Sequence, residues 1–573
     1  MNGIKLYGLI FILLVLASAL VFAVGDEQIL NIFTGNQKTN VDATDVLDIL
    51  NPAEPVQIPI SSDVKQRAYE EVEQELAKSD IIPIIVWMKK DASIDQILGK
   101  MQNFELKYKY DQFNGFAGSA NKKDIAILLE DEGLDYIAFD AVVKAQLIQS
   151  RVIIQANVTE SGYNLRGNGV GVCVLDTGVR YNHTALVQAY AGGYDFINND
   201  ADPFDDHGHG TATAGIIASN STFFRGVAPN VNLLAVKVLG STGAGTWSEV
   251  IAGINWCVTN KNLYNISVIS MSLGSVGTTY TPATNPGYAE PALQVAYNSN
   301  IVSVASSGND GSLTSMTYPA VSPYVVSVGS TYDGDLLGGY VWNSTNFICT
   351  DPVTYTDMVS CFGNRASFLD LMAPGSRIST LGLSSNFQSW SGTSMAAPHV
   401  SATVALMKQR NPQMTVSQIK NILKSTGNTV FDNATGLTFP RVNALNAVNA
   451  VPYLNKTGSI GPNANMTFYL NSKLEPGFTT LFALSLGRIP GIPLPDGRTI
   501  PLNIDDLLLL SIQSPATVFL TNSLGSLNSN GVTTTAMNLP YIPGIENVEA
   551  YAGFITINNT SGELASVSNA VRL

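Results

Sequence analysis

The chain has 573 residues, more than one ordinary domain needs and enough for three or four. Apolar residues make up 45% and charged ones 13%, which supplies large packed cores and excludes a disordered chain. A net charge of −14 without any basic stripe excludes nucleic acid as a partner, and four cysteines are too few for a disulfide-built scaffold.

In chain order, Lys5 is the only charge before Asp26. The apolar run between them, with small residues around Val21-Phe22-Ala23, reads as a cleaved export signal over 1–23, weighed above a retained anchor. Export makes disulfides available. Cys349 and Cys361 share one loop-like stretch and are expected to pair. Cys173 lies in a strand pattern and Cys257 in a helical one, so both are read as buried thiols before a bridge. Sequons at Asn157, Asn182, Asn220, Asn265, Asn343, Asn433, Asn455 and Asn465 fit a glycosylated, exported surface.

Residues 24–80 read as a linker ending in a helix at 68–79. From 81 to 147 the pattern is strand (81–89), helix (93–101), strand (104–110), strand (113–120), helix (122–132) and a last segment at 134–145 ending in a strand. That order, β-α-β-β-α-β, is the ferredoxin-like α+β arrangement. From 148 to 453 apolar strands at 169–176, 232–239, 266–273, 300–307 and 324–330 alternate with helices at 247–260 and 290–300. This is the α/β signature of a parallel sheet with helices on both faces, which binds ligands at the carboxyl ends of its strands. From 456 to 573 alternating runs are separated by Gly, Pro, Asn and Asp turns with no convincing helix, and a C-terminal antiparallel β-sandwich is expected.

Three motifs in the α/β segment carry chemistry. Asp176 ends a strand in VCVLDTG, His209 lies in DDHGHGTATAG, and Ser394 lies in a Gly-bearing turn leading into a helix, SGTSMAAPHVSA. Ser394 needs a base, His209 can supply one, and Asp176 can fix the imidazole tautomer and stabilise its charge. The chain order Asp, His, Ser is that of one known triad arrangement. Close carboxylates at Asp195, Asp200 and Asp202 suit calcium, weighed evenly against a solvated acidic loop.

Together with GVAP at 226–229, SMSLG at 270–274 and SSGN at 306–309, these motifs resemble the subtilisin-like (subtilase) family of serine peptidases over about 300 residues. The resemblance implies a subtilisin-like catalytic domain at 148–453, and a secreted or extracellular endopeptidase that needs no cofactor for catalysis. It selects His209 over His207, because only His209 is followed by Gly-Thr and then Ala-Gly. It makes Asn309 the side-chain donor to the oxyanion, beside the Ser394 backbone N–H. It lays a peptide substrate between Ser272-Leu273-Gly274 and Gly243-Ala244-Gly245, with Ser306, Ser307 and Gly308 walling S1, Thr317 near its base, Asp310 near its rim and Trp247 capping S4. It also implies a cis Tyr318-Pro319 bond, and a calcium site on the 195–202 loop in some relatives, with Phe204 at one expected ligand position.

The segment 81–147 resembles the inhibitor-type propeptide of subtilases, most specifically through FNGFAGSA and LDYIAFDAVVKA. That implies a self-processed zymogen cut near Gln146-Leu147, with the propeptide as an intramolecular inhibitor. The expected partners are protein or peptide substrates for a monomeric enzyme, with a cell-surface or polymer ligand for residues 456–573. The rival reading is a surface adhesion protein with an inactive protease-like domain.

Overall fold

A computed structural model describes residues 62–110, 114–140, 148–334, 339–344, 347–384, 387–494, 496 and 498–573. The signal read over 1–23, most of the linker and the junction near Gln146-Leu147 lie outside them. The described residues fall into two compact units, those up to 140 and those from 148 onward.

In the first unit a helix, Ser62–Leu76, begins earlier than its expected span. It precedes strands Ile81–Met88, Glu105–Tyr110, Gly115–Asn121 and Leu134–Phe139, and helices Ile94–Lys100 and Lys122–Leu129. The sheet runs Glu105–Tyr110, Gly115–Asn121, Ile81–Met88, Leu134–Phe139, every neighbouring pair antiparallel. This is the ferredoxin-like order. Alternate residues of the central strand, Ile82, Ile84, Val86 and Met88, are buried against Ile97, Ile125 and Leu128 of the two helices.

The second unit is built on a nine-stranded sheet. Its spatial order is Asn428–Asp432, Leu437–Arg441, Leu371–Ser376, Val325–Tyr332, Val302–Ser306, Ile266–Met271, Gly171–Asp176, Asn232–Lys237, Tyr190–Asp195. All pairs are parallel except the outermost, Asn428–Asp432 with Leu437–Arg441. Side-chain alternation sends Val172, Val174, Leu233 and Ala235 into one core, with Ala214, Ile217 and the helix Thr393–Arg410. Cys173, Leu175, Leu234 and Val236 enter the other, with Val250, Ile254, Leu293 and Ala296. Cys173 and Cys257 meet in that second core and form a disulfide, Cα atoms 6.4 Å apart, which corrects their reading as free thiols. A strand position and a helix position 84 residues apart give no hint of contact until the crossover is closed. Cys349 and Cys361 are paired as expected.

Residues from Tyr453 onward form two packed antiparallel sheets. One holds Tyr453–Thr457, Asn465–Asn471, Val532–Asn538 and Leu520–Thr521; the other holds Leu524–Ser526, Thr479–Ser485, Tyr551–Ile557 and Leu564–Val567, with Val571–Arg572 also paired to Tyr551–Ile557. Phe468 and Phe482 meet between them, ring centroids 4.7 Å apart. A helix, Asp506–Gln513, corrects the all-strand reading of this segment. Asp505 caps it by accepting from Leu508 N–H, and the run of leucines it starts has no strand alternation.

Candidate active site

The strand Gly171–Asp176, third from one edge, is where the sheet changes direction: the chain goes next to one side, through Tyr190–Asp195 and Asn232–Lys237, and then to the other. Loops diverge there at the carboxyl edge and leave a crevice. Asp176 is the strand's last residue and has no exposure to solvent. Its Oδ1 accepts from Thr177 N–H at 2.8 Å and lies 2.7 Å from His209 Nδ1. Thr213 adds a longer hydroxyl contact to Oδ2 at 3.4 Å.

His209 opens the helix His209–Ala218. Gly210 must be glycine, because a Cβ there would run into the carbonyl oxygen of Gly178. The turn before the helix is organised by Asp205, a buried carboxylate that the sequence reading passed over. It accepts from Thr177 Oγ1, His207 N–H, Gly208 N–H, Thr211 N–H and Thr211 Oγ1, at 2.6–3.0 Å. Two successive Asp residues just before a Gly-bearing helix start were the available signal. His209 keeps 17% side-chain exposure, and Trp390 stands edge-on to its ring at 5.9 Å. Burial disfavours the imidazolium, but the charge and hydrogen bond of Asp176, with Asp205 behind, outweigh it and raise the His209 pKa above its ordinary 6.5.

Ser394 is the second residue of the helix Thr393–Arg410, where the first backbone N–H groups have no intrahelical acceptor. Its hydroxyl donates to the Ser272 carbonyl at 3.2 Å, and Ser272 Oγ returns a bond to the Ser394 carbonyl at 2.7 Å. Asn309 Oδ1 accepts from both Thr393 N–H (2.8 Å) and Thr393 Oγ1 (3.0 Å). The amide orientation is thereby fixed, and Nδ2 lies 3.4 Å from where a Cβ on Gly392 would stand. Thr393 is a second residue that motif reading passed over.

Ser272, Leu273 and Gly274 follow directly on the strand Ile266–Met271, and Gly274 lies against Thr317. Gly243 closes a turn on Gly240 that leads through Ala244 and Gly245 to the helix Trp247–Thr259. Trp247 stacks on Tyr288 at 5.6 Å and meets Tyr318 edge-on at 4.8 Å. The Tyr318-Pro319 bond is cis. Ser306, Ser307 and Thr317 are buried, and two of their hydroxyls are spent on backbone: Ser307 Oγ on Asn364 O and Thr317 Oγ1 on Ser307 O.

The structure does not bring the 195–202 carboxylates together as a cation site. Asp195 accepts from Ile197 N–H, Asn198 N–H and Asn198 Nδ2, Asp200 from Asp202 N–H, and Asp202 from the Tyr181 hydroxyl. Among the described residues, no group of three or more His, Cys, Asp or Glu side chains is arranged to hold a metal. Asp195 and Asp200 take donors from their own loop, and Asp202 takes one from Tyr181 on an earlier turn.

A doubly wound sheet that carries Asp, His and Ser at its carboxyl edge, in that chain order, has the layout of a serine peptidase. The family model described as "Subtilase family" matches residues 167–443. Serine protease AprX of Bacillus subtilis (strain 168) is 31% identical over 373 residues, covering 62% of this chain and 83% of that protein. Subtilisin DY of Bacillus licheniformis is 36% identical over 287 residues, covering 48% of this chain and 89% of its own length. Thermitase of Thermoactinomyces vulgaris is 36% identical over 286 residues, with 49% and 89% covered. The chain belongs to the subtilase family and is a subtilisin-like serine peptidase.

Proposed function

We propose that this chain is an exported endopeptidase that cleaves peptide bonds by acyl transfer through Asp176, His209 and Ser394. The observation that carries the reading is the 2.7 Å contact between His209 Nδ1 and the fully buried Asp176 carboxylate. A carboxylate so placed holds the Nδ1–H tautomer and leaves Nε2 as the base.

Ser394 Oγ releases the Ser272 carbonyl, gives its proton to His209 Nε2 and attacks the substrate carbonyl. Loose nucleophile contacts of this kind tighten when substrate binds. Asp176 stabilises the imidazolium. The Asn309 amide and the Ser394 N–H receive the oxyanion, aided by the helix N-terminus. His209 then protonates the leaving amine, and water repeats the sequence on the acyl-enzyme. An extended substrate lies between 272–274 and 243–245, pairing backbone to backbone, with Trp247, Tyr288 and Tyr318 offering an aromatic surface beyond.

The domain reading is a signal over 1–23, a linker and helix to 80, an inhibitor-type propeptide over 81–147, the catalytic domain over 148–453 and a β-sandwich over 456–573. The ferredoxin-like sheet supports the propeptide, and the two disulfides support an oxidising destination. The test is to purify the full chain and Ser394→Ala, and to follow chain length and casein cleavage. Wild type should shorten near residue 147 and cleave casein while the variant does neither. Full-length, inactive wild type would overturn the reading.

A further inference from the structure

Asn309 lies in a loop, 307–312, that follows the strand Val302–Ser306 and belongs to no sheet or helix. A donor that must meet a transient charge within a few tenths of an ångström needs its backbone held. Asn364, from a distant turn, does the holding. It is fully buried and makes five hydrogen bonds, all to this loop. Its N–H donates to Gly308 O at 2.9 Å, and its carbonyl accepts from Ser307 Oγ at 2.6 Å. Its Oδ1 accepts from Asp310 N–H and Ser312 N–H, each at 3.0 Å, and its Nδ2 donates to Asp310 Oδ2 at 2.9 Å. The bonds flank Asn309 on both sides. Gly308 approaches the Asn364 amide so closely that a Cβ there would collide with Nδ2.

Asn364 is in turn anchored. The next residue, Arg365, is buried and pairs with Asp432 at 2.9 Å while its Nη1 donates to the carbonyls of Ser360, Cys361 and Gly363. Arg365 N–H also donates to Ser312 O, and Gly311 N–H to Phe362 O. Cys361 is tied to Cys349. The loop that carries Asn309 therefore rests on a cross-linked platform.

We propose that Asn364 is a positioning residue for the oxyanion donor, acting through the backbone on either side of Asn309 and touching no reacting atom. The inference rests on Asn309 being that donor. Because Asn364 stabilises one backbone arrangement, its loss should lower kcat with little change in KM: the donor matters most where charge develops.

The test exploits the reversible sense of one bond. In Asn364→Asp both N–H acceptors survive, but the amide that met Asp310 becomes a second carboxylate facing it. In the double variant N364D/D310N the donor and acceptor exchange sides and the clamp is whole again. With a peptide p-nitroanilide, N364D should lose about 10²-fold in kcat, the scale of a 1 Å misplacement, with KM within about threefold. The double variant should return to within about threefold of wild type. Circular dichroism and Tm report folding. If N364D does not fold, an active, folded double variant still supports the clamp. N364D near wild type, or a folded double variant as poor as N364D, overturns the proposal. Asn309→Ala separates the two claims: a loss of about 10²–10³, the magnitude measured at a subtilisin's oxyanion asparagine, alongside an unaffected N364D sinks only the role of Asn364. An unaffected N309A sinks the donor assignment and this inference with it.

Discussion

The Asp176–His209 pair makes the chemistry pH-dependent in a defined direction. In the proposed mechanism neutral His209 is the base, and its pKa is raised above 6.5 by Asp176 and Asp205 against the opposing effect of burial. kcat/KM should therefore rise with pH through a midpoint above the ordinary imidazole value, as a pH–rate profile would record. Asp176→Asn removes the charge and permits the wrong tautomer. It should lower kcat by about 10⁴, measured on a peptide p-nitroanilide, and shift the midpoint downward. A midpoint unchanged in that variant would contradict the role assigned to Asp176. Asp205 illustrates why residue-level reading is incomplete: it stands in the same short motif as His209, and the five donors it accepts from show its role only when the turn folds.

At the scale of elements, the helix Thr393–Arg410 joins the proposed nucleophile to the C-terminal sheets. Asn411, just past its end, is fully buried and donates from Nδ2 to Pro452 O and Val567 O, each at 2.8 Å. Gln418 Nε2 reaches Ala565 O and Ser566 Oγ, and Thr499 N–H donates to Gln413 Oε1. The β-sandwich is thus seated on the catalytic domain rather than tethered to it, which argues against a freely removable targeting module. Asn411→Ala should cost about 1–3 kcal/mol for each carbonyl left without its donor, seen as a lowered midpoint in urea. Deleting 456–573 should lower Tm as well; a truncated enzyme as stable as the full chain would refute the seating argument. The Cys173–Cys257 bridge closes a separation of 84 residues between the strand Gly171–Asp176 and a flanking helix. Replacing both by Ala should cost about 4 kcal/mol through unfolded-state entropy, again read from denaturant midpoints.

For the whole molecule, two buried bases on the same helix contribute to how stability follows pH. Burial pushes His399 down to about 4 and, with Lys261 nearby, Lys408 down to about 7. His399 in the folded chain resists a proton that the unfolded chain accepts near 6.5, so stability should fall as pH drops from about 6.5 toward 4. Lys408 behaves alike at higher pH: its penalty is complete below about 7 and is relieved as pH rises toward its unfolded value near 10.5. Lys408→Met should therefore raise Tm at pH 6 and do so much less at pH 10, in scans of the Ser394→Ala background where self-digestion does not interfere. An equal effect at both pH values would show that Lys408 is not carrying the penalty.

The sequence alone determined the order of the elements, the ferredoxin-like and α/β patterns, the Cys349–Cys361 pairing and the grouping of Asp176 and His209. Hydrophobic periodicity and short motifs are local, and local chemistry can be read in one dimension. It erred where the outcome depended on which distant segments meet. Cys173 and Cys257 read as separate thiols until a strand and a crossover helix closed on one another. One local miss stands beside this: 456–573 read as having no convincing helix, although the Asp505 cap starts the helix Asp506–Gln513. Thr393 and Asn364 were illegible for the same reason as the cysteines: hydrogen bonds to partners more than fifty residues away leave no spacing rule behind, and only the folded chain decides who the partner is.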